Sequence, residues 1–132
     1  LDKFINDDGK EFLNTLKRVR RILSIEEKKI GMPIGDQVSE SLLDMEEEKA
    51  LYTHHLKISK QVRDLLKNEK YEKAMEVFSG IAISLEKFFE SVKVNIEDKD
   101  IKNNRLMLLS LIRNTFINFA DFSLIDVENE VK

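Results

Sequence analysis

An all-α fold, an antiparallel bundle of about four to five helices around a buried C-terminal helix, is what the sequence predicts, and three observations predict it. Apolar residues return at alternating steps of three and four along most of the chain, the spacing that lines one face of an α-helix. Breakers are scarce, with 4 glycines and 1 proline in 132 residues, whereas turn-rich sandwiches and barrels need a signal every ten residues or so. Hydrophobic residues make up 42% and charged residues 36%, a balance too apolar for a disordered chain and sufficient for a real core.

The first helix is expected to begin near Asp7 and Asp8, whose carboxylates accept unpaired backbone N–H groups and suit the positive end of the helix dipole. Its apolar stripe is Phe12, Leu16, Val19 and Leu23, while Asn14, Lys17, Arg18 and Arg21 fall on the back. The stretch Gly31 to Asp36, which holds the proline and two glycines, forces a loop. From Val38 to about Lys67 the pattern is helical again, with an interruption around Leu43 to Glu46 and a stop at Asn68. Leu51, His55, Ile58, Val62 and Leu65 form the seam of its second half, with Lys60, Arg63 and Lys67 on the far face. A third helix is expected from Glu69 to Phe89 on the seam Ala74, Phe78, Ile81, Leu85 and Phe88. The connection at Asn68 is so short that these two helices must pack as an antiparallel hairpin.

An acidic turn at Glu97, Asp98 and Asp100 then caps a fourth helix, expected to run from Asp98 to Asp121. Its apolar residues cover well over half the circumference and leave only Asn103, Met107, Ser110, Asn114 and Asn118 as a narrow polar strip. Such a helix belongs at the centre of the bundle. The polar tail 126–132 is expected to fray.

The length suits one domain, residues 1–132, and the opening residue Leu1 suggests a piece cut from a longer chain. No apolar run approaches the roughly 18 residues of a membrane span and no secretion leader is visible, so a soluble cytoplasmic protein without membrane contact is expected. With no cysteine, disulfides and thiol chemistry are excluded. The net charge is −3, but acidic and basic zones alternate: residues 36–50 carry six acidic groups and one basic, residues 51–73 six basic and three acidic. Local potential within a Debye length of about 8–10 Å decides what docks, so a polyanion can bind one flank of an acidic protein. The candidate flank is Lys17, Arg18 and Arg21, joined by Lys60, Arg63 and Lys67; the plainer reading is a solvated helix face.

Bond-breaking chemistry has little to work with. Glu46, Glu47 and Glu48 are adjacent, so they point three ways around a helix and cannot converge on one metal ion; they read as an acidic helix start. His54 and His55 are the only histidines and lack the spacing of a metal site; His55 falls in the seam and His54 is expected to be exposed. No phosphate-binding glycine loop and no nucleophile elbow occur. Arg105 is the odd residue, a guanidinium in the middle of the fourth helix's apolar face. It needs a carboxylate such as Asp98, Glu90 or Asp44, or a route to solvent or a ligand phosphate.

Phe88-Phe89-Glu90-Ser91-Val92-Lys93-Val94-Asn95, then Asn103-Asn104-Arg105-Leu106-Met107-Leu108-Leu109, then Ala120-Asp121-Phe122-Ser123-Leu124, in that order and spacing, resembles the C-terminal end of the bacterial glycyl-tRNA synthetase beta subunit family. Lys17-Arg18-Val19-Arg20-Arg21-Ile22-Leu23 is similar to that family's opening helix, and residues 30–70 match in character only. The resemblance implies an all-helical anticodon-binding domain of the DALR type, contacting glycine tRNA and working with an alpha subunit that holds the catalytic site with its ATP and Mg. It implies no enzyme activity, cofactor or metal in this domain itself. The name-giving Asp-Ala-Leu-Arg segment corresponds to Asp121-Phe122-Ser123-Leu124, which keeps only the Asp, so no role of that motif's arginine carries over. Asn103, Asn104 and Arg105 match the family helix, in packing or in RNA contact. Two other classes stand beside this one: a helical protein-interaction module without RNA contact, and an enzyme domain, which would require titratable groups converging in a polar cleft.

Overall fold

The computed structural model describes residues 7–94 and 96–131, and side chains over 11–94 and 96–118. Among these residues there are five α-helices, α1 (Asp7–Ile30), α2 (Glu46–Lys67), α3 (Tyr71–Ser79), α4 (Ile81–Ser91) and α5 (Lys99–Val131), and one 3₁₀ turn at Glu40–Leu42. The predicted all-α bundle is therefore what the chain forms. The stripe Phe12, Leu16, Val19 and Leu23 of α1 is buried throughout, as are Ala74, Phe78, Ile81, Leu85 and Phe88 across α3 and α4. Both α1 and α2 pack on α3, α4 and α5, and α2 forms the expected antiparallel hairpin with the α3–α4 arm. The bundle thus has α1 and α2 on one diagonal and the α3–α4 arm and α5 on the other. Phe12, Phe78 and Phe116 pin α1, α3 and α5 together, with ring centroids 5.4 to 5.8 Å apart, close enough for edge-to-face attraction.

Three boundaries differ from the sequence reading. The expected third helix is two helices parted at Gly80, whose N–H reaches the Val77 carbonyl at 3.2 Å. A lone glycine inside an unbroken apolar seam gave little warning, because the seam carries on across the break. The segment after Val38 becomes helical only at Glu46, so the anticipated interruption is a true connection. The last helix continues past Asp121 to Val131; no glycine or proline follows Gly80 to stop it. The stretch 126–131, expected to fray, is helical in its backbone, and the capping roles of Asp7 and Asp8 fall on side chains outside those described.

Helix ends follow their local chemistry. Asp98 Oδ1 accepts the N–H groups of Asp100 and Ile101, each at 3.1 Å, and so caps α5. Gly31 closes α1 at φ 77°, donating to the Glu27 carbonyl at 2.8 Å, as a left-handed C-terminal residue does. At the end of α2, Asn68 is the C-cap and Glu69 takes the left-handed position at φ 58°. The Glu69 N–H then bonds the Leu66 carbonyl and the Lys70 N–H the Leu65 carbonyl, the paired closure of a Schellman turn.

α5 is buried on more than one side over its first half, where Leu106, Leu108, Leu109 and Ile112 are inaccessible; further on, Ile117 is 40% exposed. Its polar strip is only partly a solvent strip. Ser110 is fully buried and donates to the Ile34 carbonyl at 3.0 Å, and Asn114 donates to Asp36 at 3.1 Å. Together with Asn104 these residues tie down the loop between α1 and α2, so polarity on α5 serves backbone groups that no helix satisfies.

Candidate nucleic-acid interface

Lys17, Arg18 and Arg21 are exposed on α1. None of the three forms an ion pair among the described residues. The next turns of the helix contrast with them: Lys29 pairs with Glu26 at 3.6 Å, and Glu26 also meets Lys102 at 3.4 Å. The middle of α1 therefore carries uncompensated positive charge, while its C-terminal end is locally neutralised. Arg20 is exposed on the same helix and adds to that charge. It was readable within the Lys17 to Arg21 run, but it lies toward one edge of the face.

Lys60, Arg63 and Lys67 are likewise exposed and unpaired among the described residues. They sit on the outer face of α2, which shares no broad contact with α1, since each helix packs on α3, α4 and α5 from its own side. The two sets of cations are thus on diagonally opposed helices and do not merge into one patch. Sequence periodicity shows which way a side chain points on its own helix, but not how two outer faces are related.

The family-matching helix divides its three residues between surface and interior. Asn103 is exposed. Asn104 is fully buried, accepts from the Ser39 N–H at 2.7 Å and donates to the Ser39 carbonyl at 3.0 Å, so it substitutes for a missing strand partner in the loop. Arg105 is 4% exposed and belongs to a buried ion pair: its Nε donates to Glu48 Oε1 at 2.8 Å, its Nη2 to Glu48 Oε2 at 3.3 Å and its Nη1 to the Lys93 carbonyl at 2.6 Å. Asp44, one of the expected partners, only flanks this pair at 3.9 Å, and neither Asp98 nor Glu90 takes part. The partner missed was Glu48, the inward member of the acidic triplet. Its signal was present, because a glutamate at the third helical position can reach back to the start of the helix. Glu48 Oε2 does so, accepting the N–H groups of Met45 at 2.7 Å and Asp44 at 3.0 Å.

The histidines are occupied structurally. His55 Nε2 lies 2.9 Å from Thr115 Oγ1 and 3.2 Å from Ser59 Oγ, while its buried Nδ1 has no partner. Burial holds its pKa down at about 4, so the ring is neutral at ordinary pH. His54, expected to be exposed, is half-buried and bonded through Nδ1 to Ser84 of α4. Glu27 accepts the Ile34 N–H at 2.9 Å and pairs with Arg113 at 3.3 Å; the backbone bond chiefly, with Arg113, holds its pKa below the usual carboxylate range. Among the described residues no three His, Asp or Glu side chains are grouped to hold a metal, and no helix is long and apolar enough to cross a membrane. What the molecular surface does offer is the row Lys17, Arg18 and Arg21, without carboxylate partners among the described residues, with Arg18 Cζ 4.3 Å from the ring centroid of the half-buried Phe89.

The family described as the DALR anticodon binding domain matches residues 15–129. The chain is 35% identical over 109 residues to a glycine–tRNA ligase beta subunit of Shewanella baltica, covering 83% of this chain and 15% of that protein. Similar matches occur to glycine–tRNA ligase beta subunits of Mannheimia succiniciproducens, 34% identical over 83% of this chain and 15% of the relative, and of Rhodospirillum centenum, 35% identical over 92% and 17%. The chain therefore spans about one-sixth of the length of these relatives.

Proposed function

The chain belongs to the family of DALR anticodon-binding domains, and from that premise we propose that it is the anticodon-binding part of a glycine–tRNA ligase beta subunit, holding glycine tRNA in place for aminoacylation. The observation that carries the reading is the row Lys17, Arg18 and Arg21, exposed, free of carboxylate partners among the described residues, and inside the family-matched span. An anticodon loop presents phosphates at high density and bases not engaged in a duplex, and unpaired Lys and Arg side chains are suited to the first while planar side chains are suited to the second. Charge alone does not distinguish one tRNA from another, so selection of glycine tRNA rests on base contacts here or elsewhere in the synthetase.

In this reading the domain performs no chemical step. Glycine activation, with its ATP and Mg, belongs to an alpha subunit with which the beta subunit works, in the cytoplasm where tRNA is charged. The similarity to three glycine–tRNA ligase beta subunits supports this assignment of partner and setting. The test is reversal of Lys17, Arg18 and Arg21 to Glu in the intact protein, followed by titration with glycine tRNA and with an unrelated tRNA over a range of salt. Binding should weaken at least tenfold at low salt while the helical circular dichroism is unchanged. Undiminished affinity would reject this surface as the docking site.

A further inference from the structure

We propose that Arg18 and Phe89 form a stacking platform that receives one unstacked nucleobase, the base lying on the outer face of the Arg18 guanidinium. This rests on the anticodon-binding reading and names the part of the surface that meets a base instead of a phosphate. Arg18 Cζ stands 4.3 Å from the centroid of the Phe89 ring, within the range of a cation–π contact. Phe89 is half-buried, and its ring is braced edge-to-face by the fully buried Phe88 at 5.6 Å and 76°. A core residue on α4 thus fixes an aromatic ring, and the ring fixes a guanidinium that extends from α1. The order of layers is core, ring, guanidinium, solvent.

A flexible surface arginine would have to be immobilised before a base could stack on it. Here the contact with Phe89 has already reduced that freedom, and the bound base meets a plane in place. The guanidinium is exposed and has no carboxylate among the described residues, so its outer face and its N–H groups are open. Charge around the platform sorts base from backbone. Glu86 and Glu90 lie on α4 beside Phe89, and the neighbouring carboxyl of Glu11 on α1, with Glu90, raises the pKa of Glu86. Negative groups on that side repel a phosphate but tolerate a neutral base. On the other side of Arg18, away from α4, come Arg21 one turn along and Lys17, both exposed cations placed for the adjoining phosphates. Phe89 had no functional reading in the sequence, where it was one half of a phenylalanine pair.

The test separates planarity from charge. In the intact protein, Arg18→Lys keeps the positive charge and removes the plane. It should weaken glycine-tRNA binding about fivefold to a hundredfold, the range expected for loss of one stacked base, and leave the salt slope of binding unchanged. Phe89→Leu keeps an apolar side chain under Arg18 and should weaken binding similarly, with less than additive loss in the double variant. A series of anticodon stem-loops, each with one abasic loop position, locates the base: at one position the abasic loop and Arg18→Lys should no longer add. Arg18→Lys binding like the original protein would overturn the platform, as would a loss that adds equally at every abasic position. So would a loss seen in assembly with another protein chain and not in tRNA binding. If reversing Lys17, Arg18 and Arg21 weakens binding but Arg18→Lys does not, the platform falls and the docking surface stands; if neither has an effect, the anticodon-binding reading of this face falls with it.

Discussion

Arg105 and Glu48 show how two charged residues can serve a helical core. Glu48 is wholly inaccessible and receives the Arg105 guanidinium along with two backbone N–H groups at the start of α2, so a single carboxylate joins α2, α5 and the Lys93 segment through its partner. Removing one member of a buried pair leaves the other charge stranded, and Glu48→Ala should destabilise the fold by about 3–5 kcal/mol. The double replacement Glu48→Leu with Arg105→Met should recover roughly half of that loss, because the stranded charge is gone while the Met45 and Asp44 amides still lack their acceptor. Urea midpoints for the single and double variants, at constant m-value, check both statements. His55 makes a second prediction at this scale. Its folded pKa of about 4 lies below the unfolded value of 6.5, so between those values the unfolded chain binds the extra proton. The His55 contribution is complete above pH 6.5 and is lost as pH falls toward 4, amounting to about 3 kcal/mol over the window. Unfolding measured at pH 7 and pH 5 should show about 2 kcal/mol of this fall, pH 5 lying inside the window, and His55→Gln should flatten it.

At the scale of the helices, the turn joining α2 to α3 holds a non-glycine residue where glycine is usual. Glu69 sits at φ 58° and is exposed, a conformation that costs an L-residue roughly 1–2 kcal/mol and glycine almost nothing. Glu69→Gly should therefore stabilise the protein by about 0.5–1 kcal/mol after allowing for the added freedom of the unfolded chain; a melting temperature that falls instead would show that the Glu69 side chain contributes more than its backbone strain removes. The same turn shows what was legible in the sequence. Asn68 was readable as a stop, and the seams of α1, α2 and the α3–α4 arm were readable because repeated three- and four-residue steps are produced by very little except a helix packed on one side. Gly80 was less legible, since the break leaves the seam intact. The polar residues of α5 were the least legible. Ser110, Asn104 and Asn114 look solvent-facing by their chemistry, but their partners are backbone and side-chain groups 65 to 78 residues away, and no local pattern encodes a loop folding back over a helix. Glu48 hid for a related reason: it is one of three adjacent glutamates, and only a helix start placed at Glu46 turns that one inward.

For the molecule as a whole, the bundle's topology decides how its charge can be used. α1 and α2 occupy one diagonal, each on the far side of α3, α4 and α5, and with neighbouring helices packed about 8–10 Å apart their axes stand more than a physiological Debye length of about 8 Å from one another. The cations of α1 and those of α2 therefore act on different neighbourhoods, even though they look alike in the sequence. A stem-loop lying along one flank of the bundle neutralises one set and leaves the other in solvent. Each cation withdrawn from contact with RNA removes about 0.7 from the slope of log affinity against log salt for single-stranded contacts. With Lys17 and Arg21 on phosphates and Arg18 on a base, replacing all three by Ala should thus lower the slope by about 1.4, whereas the same change at Lys60, Arg63 and Lys67 should alter it by well under 1. Paired salt titrations of the two triple variants check the difference. Equal slopes lost from both faces would mean that the RNA wraps the bundle, and a loss confined to α2 would move the docking surface to the opposite flank, away from Phe89 and the open face of Arg18.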